Sequence, residues 1–146
     1  MLDDRRGVRR IDAEGGRNRL NVPMTAEVTL RAFHGKREVF SSAGKWLHPL
    51  FELEEFLRTS SCSPQSLRVE DKIVGKAAAL LLVRLGIRNV KAGVLSELGR
   101  DVLERFHVVY SAGETVERID CQTEILLTEV EDPQQAYRIV AARAGR

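Results

Sequence analysis

Apolar and polar positions alternate from Ala26 to Phe33, with Val28, Leu30 and Ala32 on one side, and this period of two predicts a half-buried strand. His34-Gly35-Lys36 then suits a tight turn into a second short strand, Glu38 to Ser41, which makes a hairpin. The period changes after Pro49, a residue suited to the first turn of a helix because its missing N–H is not needed there. Leu50, Leu53 and Leu57 recur at helical spacing, while Glu52, Glu54, Glu55 and Arg58 fall towards water. Thr59 to Ser66, rich in serine and holding Pro64, reads as a loop.

A short strand at Leu67 to Val69 is expected to lead into a helix from Lys72 to Leu85. That helix is apolar over most of its circumference, so it should be central and buried, with Gly86 stopping it. A strand over Asn89 to Leu95, a helix over Glu97 to Phe106 capped by Ser96, and a strand over Val108 to Tyr110 follow. Gly113 suggests a turn before a helix near Gln122 to Val130. Asp132-Pro133-Gln134-Gln135 combines a cap, a first-turn proline and a closing glutamine, and opens a last helix through Ala136, Tyr137, Ile139 and Val140. A hairpin and helix followed by alternating strands and helices predict a three-layer α/β or α+β sandwich.

The composition adds a boundary. The chain has 146 residues and a formal charge of +2. Residues 1–22 hold six arginines and four acids, which account for the whole excess, so the remainder is neutral. Residues 1–23 are therefore expected to be a disordered basic tail and residues 24–146 a single domain. Met24, directly before the first strand, marks an alternative start. The tail has neither the apolar stretch of an export signal nor aromatic residues to stack on bases, so nucleic acid is not an expected partner. No uncharged run exceeds nine residues, too short to span a membrane. Two cysteines, Cys62 and Cys121, without a secretory signal point to free thiols and a cytoplasmic protein.

Three stretches carry a resemblance: Asp71-Lys72-Ile73-Val74-Gly75-Lys76-Ala77-Ala78-Ala79, Val94-Leu95-Ser96-Glu97 and Cys121-Gln122-Thr123-Glu124. Together they resemble the bacterial and archaeal family known as domain of unknown function 1893, over roughly residues 26–140. The resemblance implies a cytidine-deaminase-like sandwich, a mixed sheet of about five strands with helices on both faces. Zinc deaminases need His-x-Glu or Cys-x-Glu and then Pro-Cys-x-x-Cys. Here no histidine or cysteine is followed two positions later by glutamate, and no Cys-x-x-Cys occurs, so neither zinc nor another cofactor is expected.

In such a sandwich two helix starts approach each other outside the carboxyl ends of neighbouring strands, where free N–H groups favour an anion. The first would carry Asp71, Lys72, Gly75 and Lys76, and the second Ser96 and Glu97. Cys121 and Glu124 join them through the resemblance. The reading that follows is a binding or sensing module for a nucleotide or ADP-ribose-like phosphate ligand, with no assigned catalytic residue. The plain alternative makes Asp71, Ser96 and Glu124 caps, Gly75 a packing residue, and the two lysines a solvated edge. An enzyme using Lys72, Lys76 or Cys121 and a protein-interaction module, homodimeric through a sheet edge or the last helix, are the other readings. Trp46 is expected to be a core or edge anchor.

Overall fold

The computed structural model describes residues 27–119 and 122–146. The basic tail and Cys121 lie outside the described residues. The hairpin forms from β1 (Leu30–His34) and β2 (Arg37–Ser42), followed by α1 (His48–Thr59) with Pro49 in its first turn. Then come β3 (Leu67–Val74), α2 (Lys76–Leu85), β4 (Asn89–Ser96), α3 (Glu97–Arg105), β5 (Val109–Val116), α4 (Gln122–Leu126) and α5 (Pro133–Arg143). The strands form one mixed sheet in the order β2-β1-β3-β4-β5, antiparallel from β2 to β3 and parallel from β3 to β5. This is the α/β class expected, consistent with a three-layer sandwich.

Burial follows the alternation. Leu30, Ala32, Leu67, Val69, Val90 and Ala92 are buried on the sheet face that meets α2, whereas Arg31, Arg68, Glu70 and Lys91 alternate with them and stay half-exposed or exposed. The α2 stretch Ala77 to Leu82 is wholly buried, because the helix sits between the sheet and helices α1, α3 and α5. Gly86 ends it in the left-handed conformation, at φ 90°. Asp132 caps α5 by accepting the Gln135 N–H at 2.9 Å.

Four expected boundaries are corrected. The strand leaving Leu67 does not stop at Val69 but runs to Val74, and α2 begins only at Lys76, so Asp71 and Lys72 are strand residues rather than a helix start. The cause is a crease. The β3–β4 register keeps its offset from Asp71↔Ala92 to Ile73↔Val94 but leaves Lys72 and Gly93 unpaired between them. A Cβ on Gly93 would stand 2.6 Å from the Lys72 carbonyl oxygen, so only glycine lets the strands close there. Past the crease the buried parity slips by one. Val74 is buried, and Ile73 is 51% exposed. Gly113, expected in a turn, lies inside β5, whose strand extends to Val116. The helix expected to reach Val130 ends at Leu126.

Candidate functional site

The starts of α2 and α3 do converge, because parallel β3 and β4 deliver their chains side by side at the same sheet end. What lies between them is a carboxylate of the chain itself. Glu124 Oε2 accepts the Lys76 backbone N–H at 2.8 Å and the Ser96 hydroxyl at 2.7 Å, and Oε1 accepts the Ile119 N–H at 2.7 Å. Ser96 Oγ in turn accepts the Gly99 N–H at 3.0 Å, capping α3. Glu124 is only 3% exposed, and its negative charge stands at the positive end of the α2 dipole. Gly75 is explained by the same group, since a Cβ there would be 2.7 Å from Glu124 Oε2.

Lys76 is also committed internally. Its side chain is 3% exposed, and Nζ donates to the Thr128 carbonyl at 2.8 Å and to Glu131 at 2.9 Å. That hydrogen bond, more than the charge alone, holds the Glu131 carboxyl below its usual range. Lys72 points elsewhere and pairs with Glu27 in an exposed contact. Glu97 is exposed in the first turn of α3 and takes no part in the buried cluster. The structure therefore unites Gly75, Lys76, Ser96 and Glu124, and sets Lys72 and Glu97 apart from them.

Beside this cluster opens a cavity of about 400 Å³, within the range of small-molecule pockets. Trp46, Leu47, Pro49, Leu50, Ala77 and Ile119 supply its largely apolar walls. Lys45 and Lys72, both exposed, are its rim cations. Asp71 lines it from β3 and also lines a hollow of about 280 Å³ over the crease. Asp71 is half-buried between the two spaces, and protein surrounds its carboxyl. Desolvation pushes it up to about 7, against a partial opposing pull from the backbone amides of Ile73 and Lys72.

Trp46, expected to be an anchor, is instead 40% exposed at this cavity and holds a left-handed φ of 58°. For a bulky residue that conformation costs about 1–3 kcal/mol and persists only where neighbours impose it. They do so here. Thr29 Oγ1 donates to the Gly44 carbonyl at 2.8 Å, Ser42 Oγ accepts the Gly44 N–H at 3.1 Å, and the Trp46 ring meets His48 edge-on at 5.3 Å. Sequence reading missed Trp46 and Lys45 as site residues. The one available signal is an aromatic residue two positions after a glycine in a short loop before a proline. Among the described residues, no cluster of three His, Cys, Asp or Glu groups is placed to hold a metal ion. Nor is any helix there long and apolar enough to cross a membrane.

No curated protein matches the sequence. A solved structure from Thermotoga maritima, described as a DUF1893 family protein (TM1506), is similar at 28% identity with a TM-score of 0.71, covering 80% of each chain. The family model described as TM1506, domain of unknown function (DUF1893), matches residues 21–143, nearly the whole sequence and every element of the sheet. By that match the chain belongs to the DUF1893 family, a domain whose function is not known.

Proposed function

We propose that this domain binds a small molecule of the nucleotide class, with ADP-ribose-like phosphates included, in the cavity that Asp71 lines. The observation that carries the reading is a desolvated carboxyl on a residue that lines an apolar-walled space of about 400 Å³. Polar groups few in number and set in apolar walls are what orient a bound ligand. A flat ring would lie against Trp46, its polar edge would meet Asp71, and its phosphate would reach Lys45 and Lys72 at the rim. The exposed Lys72–Glu27 pair gives little resistance, since such pairs are worth about 0–1 kcal/mol. The α2 start contributes no phosphate contact in this reading, because Glu124 already takes the Lys76 N–H.

Thermal denaturation of the full chain against nucleosides, nucleotides and ADP-ribose tests it. A ligand at a hundredfold excess over its Kd adds about 2.7 kcal/mol of stability, a shift of roughly 5–10 °C. Asp71→Asn and Trp46→Ala should remove the shift. A folded protein whose Tm moves with no member of the panel refutes the proposal. The titration of Asp71 near neutrality also favours a second reading, general acid–base catalysis on the bound ligand. Conversion of a bound ligand that ceases in Asp71→Asn while binding persists separates the two.

A further inference from the structure

What the cavity lacks indicates what fills it. Among the described residues, no side chain forms a hydrogen bond with the Asp71 carboxyl, although an ionised carboxylate can accept on both oxygens. Only the neighbouring amides of Ile73 and Lys72 act on it. The other charged groups are engaged or remote in function. On the cavity side, Glu124 is saturated by three donors and Lys76 by Thr128 and Glu131, with Lys45 at the rim. On the crease side, Arg31 pairs with Glu38, Glu70 with Arg68, and Lys72 with Glu27, and Lys91 lies exposed on the outer sheet face. Missing donors must therefore come with the ligand, and the aromatic Trp46 among the lining residues suits a planar carrier.

Resting on the cavity-binding reading above, we infer that Asp71 recognises a 2-amino-4-oxopyrimidine edge, the two neighbouring N–H donors that guanine nucleosides and pterins share. Two parallel N–H groups meet the two carboxylate oxygens in a bidentate pair, the strong form of a charge-assisted hydrogen bond. The edges of adenine and cytosine offer one donor beside one acceptor, and that of uracil flanks a single donor with acceptors. Each sets a lone pair against a carboxylate oxygen and leaves a buried polar group unmatched, the kind of defect that gives a hydrogen-bonding site its selectivity.

Trp46 is the sole tryptophan of the chain, so its fluorescence reports occupancy of the cavity directly. Guanosine, inosine, adenosine and uridine would be titrated into the full chain by Trp46 quenching, and a pterin by calorimetry, at pH 6 and pH 8. Guanosine, the pterin or both should bind, and whichever binds identifies the source of the edge. Inosine, which lacks the amino group, should bind at least tenfold more weakly, and adenosine and uridine more weakly still. Because the carboxylate form accepts both donors, guanosine affinity should rise about tenfold between pH 6 and pH 8 for a group titrating near 7. Asp71→Asn should abolish both the preference and the pH step. The pH step in the unmodified protein needs no variant and stands whether or not the variant folds. Equal affinity for all the nucleosides, or pH-independent binding of guanosine, overturns the inference and leaves cavity binding intact. Silence from every probe overturns both.

Discussion

Glu124→Gln is the sharpest perturbation of the buried cluster because it preserves shape and removes one acceptor. The native carboxylate receives three donors: Lys76 N–H and the Ser96 hydroxyl on Oε2, and Ile119 N–H on Oε1. Glutamine has one acceptor oxygen and an NH₂ group in place of the other. In its better orientation the oxygen keeps Lys76 and Ser96, and the NH₂ confronts the Ile119 N–H, donor against donor. An unsatisfied buried donor costs about 1–3 kcal/mol, and loss of the negative charge at the α2 start about 0.3–1 kcal/mol more. The sum, about 1–4 kcal/mol, corresponds to a Tm lowered by roughly 3–15 °C for a domain of this size. Urea denaturation should show a lower midpoint with an unchanged slope, the mark of a native-state loss. An unfolding free energy within about 0.5 kcal/mol of the unmodified protein, the range of an ordinary surface substitution, would refute the assigned hydrogen bonds.

Asp71 should act on stability in the opposite direction. Its folded value near 7 lies above the ordinary 3.8, so the native chain holds a proton that the unfolded chain has released. Stability should fall as pH rises from about 4 to about 7 and level off above, by about 2–4 kcal/mol in all. Urea midpoints at pH 5 and pH 8 should show Asp71→Asn flattening that slope and exceeding the unmodified protein at pH 8. Trp46→Gly relieves a left-handed backbone, so its Tm should stay within about 3 °C of the parent while calorimetry shows ligand binding lost. Lys76→Met keeps the stem but orphans the Thr128 carbonyl, lowering stability by about 1–3 kcal/mol. NMR titration of that variant should show the Glu131 carboxyl moving up, because its Lys76 partner is gone.

Local chemistry was legible where one residue decides an outcome alone. Gly86 stops α2, Ser96 caps α3, and Asp132 caps α5, each as its residue type requires. The hairpin and the buried α2 followed from periodicity. Reading failed where distant segments decide. Glu70 and Asp71 read as a link after a strand and Lys72 as the start of a helix, and only the approach of Gly93 shows that β3 continues through them. Gly113 reads as a turn because nothing nearby reveals that a Cβ there would stand 3.0 Å from the Gly93 carbonyl. Glu124 is read as serving its own helix, but it serves α2, 48 positions earlier. Asp71 stands out in the sequence for a helix start that it does not occupy, and its surroundings come from α1, β4 and the Trp46 loop together. The sequence points to an anion-friendly junction, but not to the chain's own Glu124 as the anion.

The contact between Gly75 and Glu124 also constrains how this sequence can change. A side chain at position 75 arriving first would collide with the carboxylate at 2.7 Å. Loss of Glu124 first would strand three donors before any replacement group could answer them. Either order of substitution passes through a weakened intermediate, and for a marginally stable domain a few kcal/mol is a large share of what it has. Positions 75 and 124 behave as one inherited unit. A lineage that keeps the glycine has reason to keep the glutamate, whatever ligand its neighbouring cavity comes to hold.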